Sequence, residues 1–89
     1  MKNVRIVEPQ LKALTNRRRL AILKFLESKD KASVGTIAAE IKLSFKATSA
    51  HLLILSACDI LGREQTSTTV LYQLSRPLSP LIKTVLTIL

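Results

Sequence analysis

The apolar residues of this chain change period twice, and that limits the folds open to it. From Leu20 to Leu55 they recur every three or four residues, the spacing of helices with one buried face. Between Val70 and Leu74 they alternate, with Val70, Tyr72 and Leu74 on one side, as a half-buried strand requires. From Leu78 onward the helical spacing returns through Leu81, Ile82, Val85, Leu86 and Leu89. A chain of 89 residues has room for one domain around a modest core. The pattern predicts a single domain over residues 1–89, mainly α with a small β-hairpin (α+β).

Polar and breaker residues divide the pattern into elements. The stretch from Val4 begins as a short extended segment, after which Pro9 fits the first turn of a short helix carrying Leu11 and Leu14. Asn16 is an N-cap for the stripe of Leu20, Leu23 and Leu26, which ends in the polar turn Ser28 to Lys31. Ser33 caps a short helix with Val34, Ile37, Ala38 and Ile41 on its buried side. Ser44 caps the next, from about Phe45 to Cys58, with Thr48, Leu52 and Leu55 buried. A short helix, a tight turn and a second helix make a helix-turn-helix. Ile60–Gln65 and Val70–Ser75 read as strands joined by Thr66, Ser67, Thr68 and Thr69; no Asn-Gly or Asp-Gly fixes the turn type. Pro77 and Pro80 flank the start of the last helix. The order is α-α-α-α-β-β-α, a winged helix-turn-helix.

The net charge is +8, from 14 Lys and Arg against 6 Asp and Glu. Such a surplus favours a polyanionic partner, nucleic acid first and an anionic membrane second, over a merely basic soluble protein. Eleven of the basic residues lie at or before Lys46, so the first half of the chain carries the field. Cys58 is the only cysteine, which excludes an internal disulfide and a four-ligand zinc site, and the chain reads as cytoplasmic. No apolar run exceeds four residues, against the roughly 20 of a membrane span, and the N-terminus has no apolar signal-peptide core. No acid, base, nucleophile or metal set points to an enzyme, and no cofactor is expected.

A helix that follows a tight turn fits the major groove, where its N-terminal residues meet base edges. Here those residues are Ser44, Phe45, Lys46, Ser49, Ala50 and His51. Lys46 can donate to guanine or phosphate, Ser49 can reach either kind of base edge, and Phe45 and Ala50 offer only apolar contact, for example with a thymine methyl.

At these residues the chain resembles the ArsR-type winged helix regulators of bacteria and archaea, without gaps from Leu11 to about Ser75. Ala13-Leu14, Asn16, Arg19-Leu20 and Ile22-Leu23 match that family's opening pattern. Ser33 to Ser44 resembles the first helix of its reading pair; Ser49, His51, Leu52 and Leu55 fall on the Ser, His, Leu and Leu of its recognition helix. Tyr72 and Leu74 fall in its second wing strand. The chain departs from the family at Ala50, where Arg is frequent, at Leu53, where a charge is frequent, and at Asp59, which replaces a glycine. Asp tolerates a left-handed backbone better than most residues, so the turn can survive. The Thr/Ser wing tip replaces a basic, glycine-bearing one and leaves Arg63 as the wing's main charge.

The resemblance implies a homodimer formed by the first and last helices, with Leu11, Leu78, Leu81, Ile82, Val85, Leu86 and Leu89 at the interface. It implies double-stranded DNA as partner, with Arg17, Arg18, Lys42, Arg63, Thr66, Ser67 and Thr68 on the backbone. Three cations at the start of a helix oppose its dipole, and a bound phosphate relieves them, which favours Arg17 or Arg18 on the backbone; the family match makes Arg19 structural. His51 is read as a structural or phosphate-bonding imidazole, with base readout as the alternative. Cys58 packs as a small apolar residue; a redox switch is the alternative, with Arg63 the only cation in view to lower its pKa. Relatives that sense metals use a Cys pair before the recognition helix or Asp and His on the last helix. Ser33 to Glu40 and Leu78 to Leu89 lack those residues, so no metal is expected there. The reading is a sequence-specific regulator, most simply a repressor. The rivals are a non-specific architectural DNA-binding protein and a winged helix that binds protein.

Overall fold

A computed structural model describes residues 2–89. The chain folds into five helices and a small antiparallel sheet: α1 Lys2–Leu14, α2 Arg17–Glu27, β1 Ala32–Ser33, α3 Val34–Ile41, α4 Phe45–Ala57, β2 Leu61–Thr66, β3 Thr69–Leu74 and α5 Pro80–Ile88. This is the winged helix-turn-helix read from the periodicity, with one added strand.

The caps fall where short polar side chains precede apolar stripes. The Asn16 side chain accepts from the N–H groups of Arg18 and Arg19 at 2.9 and 3.1 Å. Ser33 accepts from Thr36, Ser44 from Ala47 and Ser79 from Ile82. Each bond satisfies a donor that the first helical turn leaves open, and is worth about 1 kcal/mol. Pro80 follows its cap at the first turn of α5, where a missing N–H costs nothing.

The α1 region corrects the sequence reading. Residues read as extended are helical, and Pro9 lies inside α1 rather than in its first turn. Pro9 cannot donate to the Arg5 carbonyl one turn earlier. Both residues are exposed, so water can serve that carbonyl. Val4, Val7, Leu11 and Leu14 lie at helical spacing, and that stripe outweighs the local penalty.

The core draws on every helix. Ile22, Leu23, Leu26, Ile37, Leu52 and Leu55 are fully buried and meet Ile60, Leu61, Tyr72 and Leu74 of the sheet region. Ile82 and Leu86 of α5 close it from the other end. At about 2 kcal/mol per large apolar side chain, this burial is the main force holding the helices together.

The sheet has the order β1-β3-β2. β1 pairs Ala32 with Tyr72 and Ser33 with Leu71, while β2 pairs with β3 from Leu61↔Leu74 to Thr66↔Thr69. The hairpin loop is therefore Ser67-Thr68. Neither residue has positive φ, so the loop is not one of the primed turns that favour Asn-Gly. Lys31 Nζ and Glu64 Oε2 pair at 2.8 Å and fasten the segment before β1 to β2. Positive φ occurs at Lys42 (56°), which ends α3, and at Asp59 (63°), which follows α4. Asp59 adopts the left-handed conformation expected where relatives carry glycine.

Candidate nucleic-acid interface

Three residues, Lys42 to Ser44, turn the chain from α3 into α4. The left-handed Lys42 ends α3 sharply, its N–H donating to the Ala38 carbonyl, and the Leu43 N–H reaches the same carbonyl at 3.1 Å. Ser44 then starts α4 with its hydroxyl occupied by the Ala47 N–H. The turn leaves Ser44, Phe45, Lys46 and Ala50 exposed, and Ser49 and His51 half-buried. All six residues expected on the DNA-binding face therefore reach the surface within the first two turns of α4.

His51 is held by an arginine. Arg19 Nε donates to the Ala13 carbonyl at 2.6 Å, and its Nη1 lies 3.2 Å from His51 Nδ1. A guanidinium only donates, so Nδ1 accepts and the imidazole proton sits on Nε2. Burial, then the positive charges of Arg19 and Arg18, hold the His51 pKa below its ordinary value. The ring is thus a neutral N–H donor. Arg19 is structural, and its spacing of 32 residues from His51 left no local trace in the sequence.

One basic side chain is tied to the turn. Arg18 Nη1 donates to the Ile41 carbonyl at 3.3 Å, which sets its guanidinium beside Lys42 with its other N–H groups open. Arg17 is exposed at the start of α2. On the opposite flank, Phe45, Ser49 and Leu53 of α4 face the wing across an open groove of about 600 Å³. Its other wall carries Arg63, Thr68, Thr69, Val70 and Tyr72, and Ser33 to Gly35 form one end. The Arg63 guanidinium lies 5.9 Å from the centre of the Tyr72 ring, a cation–π distance that keeps it on the groove side of the wing. Thr66, Ser67 and Thr68 form the exposed tip.

This arrangement of turn, helix and wing is shared with known proteins. The sequence pattern described as "Bacterial regulatory protein, arsR family" matches residues 16–61. The chain belongs to the ArsR family. Reduced HlyU from Vibrio cholerae is 33% identical over 98% of this chain and 87% of its own, with a TM-score of 0.79. NolR from Sinorhizobium fredii is 30% identical over 98% and 83% of the two chains, with a TM-score of 0.79. A homodimeric winged helix-turn-helix DNA-binding domain from Mycobacterium bovis shares the fold at 23% identity, covering 98% and 77%, with a TM-score of 0.80. Comparison with curated protein sequences finds no match. The ArsR chain described here is thus a winged helix-turn-helix protein of a family of transcriptional regulators.

Two expectations from the sequence change in detail. Ile82 and Leu86, expected between two chains, are 3% and 6% exposed and pack into the chain's own core. Leu78, Leu81 and Val85 are half-buried against that core, while Ile88 and Leu89 are exposed. On α1 the sequence reading named Leu11, which is 48% exposed, but missed Val4 and Val7 beside it, 50% and 36% exposed. Helical spacing signalled them, but Pro9 obscured the helix. Near Cys58 the cation that favours its thiolate is Arg19, not Arg63, and burial outweighs it, pushing the thiol's pKa up. Cys58 packs against the core, as an apolar residue does. Among the described residues, no three His, Cys, Asp or Glu side chains gather into a metal-sized group, and no helix is long and apolar enough to cross a membrane.

Proposed function

We propose that the chain is a homodimeric regulator that binds specific sites on double-stranded DNA and acts by occupancy, most simply as a repressor. The supporting observation is the exposed N-terminal face of α4, flanked by Arg18 and Lys42 on one side and the Arg63 wing on the other. In this reading Ser44, Phe45, Lys46, Ser49, Ala50 and His51 face the major groove. Arg17, Arg18, Lys42, Arg63, Thr66, Ser67 and Thr68 hold the backbone. The His51 Nε2–H is a donor for phosphate or a base edge. With a net charge of +8, affinity falls steeply as salt rises.

Pairing uses the apolar exteriors of α1 and α5: Val4, Val7 and Leu11 on one, Leu81, Val85, Ile88 and Leu89 on the other. Exposed apolar stripes on two helices of so small a domain favour a second copy as cover. The homodimeric state of the Mycobacterium bovis domain agrees with this reading. Selection from a random duplex library at physiological salt tests it. The expected result is an inverted repeat with half-sites about 34–36 Å apart, one helical turn. Binding with no selected sequence overturns specificity and favours an architectural protein. Failure to bind duplex DNA overturns the reading in favour of a protein partner, for which exposed Leu53 and Ile54 on α4 are the obvious surface.

A further inference from the structure

The outward side of α4 carries almost no hydrogen-bonding groups. At 3.6 residues per turn, the stripe opposite buried Thr48, Leu52 and Leu55 holds Lys46, Ala50, Leu53, Ile54 and Ala57, all exposed. Phe45, the first residue of α4, is 62% exposed and stands beside that stripe, on the flank toward the wing. No Arg, Asn, Gln, Asp or Glu occurs between Phe45 and Ala57. Those are the side chains that form bidentate or accepting bonds with guanine, adenine and cytosine edges. What remains to touch bases in the first two turns is a phenyl ring, an alanine methyl, one lysine, the hydroxyls of Ser44 and half-buried Ser49, and the single N–H of half-buried His51, none of them a bidentate fork. An exposed phenyl ring is a liability on a surface that stays in water, and an asset against an apolar group.

In the major groove only thymine offers such a group, its C5 methyl. We propose that this chain selects its half-sites by thymine methyl groups, met by Phe45 and Ala50, rather than by hydrogen bonds to guanine. The inference rests on the reading of α4 as the DNA-reading helix and names what that helix prefers. Lys46 supplies a point charge, not a bidentate fork, so it can serve a phosphate or a single base acceptor without fixing which base is read. The Ser44 cap fixes Phe45 as the first residue of α4, so the ring leads the helix into the groove. A G·C pair at the same step places polar edges against the phenyl ring, where they lose water without gaining a partner.

The test uses DNA chemistry, which leaves protein folding untouched. On a site selected from the random library, each thymine is replaced in turn by deoxyuridine, which pairs identically but lacks the methyl. Dissociation constants are measured by fluorescence anisotropy at fixed salt, with the wild-type chain and with Phe45→Ala. The expected result is a loss of about fourfold at each thymine whose methyl is buried. At the position met by Phe45, the loss shrinks below about twofold in Phe45→Ala, because the ring that sensed the methyl is gone. Deoxyuridine tolerated at every thymine, with preference carried by guanines and lost in Lys46→Ala, overturns this inference and leaves the proposed function standing. If no site is selected, both fall.

Discussion

α1 and α4 are each 13 residues long, and they use their apolar residues in opposite ways. α4 buries Thr48, Leu52 and Leu55 completely, with the rest of the domain around them. α1 is attached near its C-terminal end, through buried Gln10, Ala13 and Leu14, and its earlier turns leave Val4, Ile6 and Val7 exposed. The Gln10 amide donates to the Cys58 carbonyl at 2.9 Å, so even this anchoring is partly polar. The two helices show that an apolar stripe does not name its own partner. On α4 it was completed within the chain, and on α1 it was left for something outside.

The largest test of this contrast is truncation on each helix. Leu52→Ala is expected to cost about 2–5 kcal/mol in urea unfolding, because its fully enclosed site cannot collapse. An equally small cost for Leu52→Ala and Ile6→Ala would erase the distinction. Next, Val7→Asp places a charge on the α1 exterior and is expected to weaken pairing by at least about 2 kcal/mol. Sedimentation should then show a monomer at concentrations where the wild type is a dimer; an unchanged dimer means that α1 does not pair.

A smaller effect sharpens the α4 side. The Thr48 hydroxyl is fully buried with no hydrogen-bond partner. Thr48→Val keeps the shape and removes the unpaired group, so it should stabilise the chain by about 1 kcal/mol. A loss of stability on this substitution would show that the hydroxyl is bonded. The smallest expected effect is a pH dependence. His51 binds a proton less readily folded than unfolded, so its contribution is present above the unfolded value of about 6.5 and is lost as pH falls toward the lower folded value. Urea midpoints from pH 7.5 to 5 should show this fall, and His51→Gln should flatten it; an unchanged profile in that variant assigns the effect elsewhere.

Most of the reading half of the fold was legible because its signals are local. Asn16, Ser33 and Ser44 are caps next to the stripes they start, and Thr48, Leu52 and Leu55 lie one turn apart. Features that depend on distant partners were not legible. β1 has two residues and exists only because Ala32 and Ser33 meet Tyr72 and Leu71 across the fold. The periodicity of α5 identified an apolar face but not that Ile82 and Leu86 would be covered by their own chain. In α1 a local signal misled: Pro9 reads as a first-turn residue, yet an exposed proline inside a helix is tolerable when the stripe around it is strong. Phe45, Lys46, Ala50 and Leu53 were named from sequence among the exposed side chains of α4, while Ile54 and Ala57, and with them the near absence of hydrogen-bonding groups on its outward side, emerged only with the burial of each turn.

Arg19 touches three helices at once: it belongs to α2, donates to the last turn of α1 and steadies His51 on α4. Gln10 adds a second link, from α1 to the end of α4. These tie points lie about two turns apart along α4 and under one turn apart along α1, and they resist rolling of one helix against the other. In a paired molecule whose seam runs along α1, the gap between the two reading helices is then a fixed gauge. Changing that gauge would take a rotation at the seam itself.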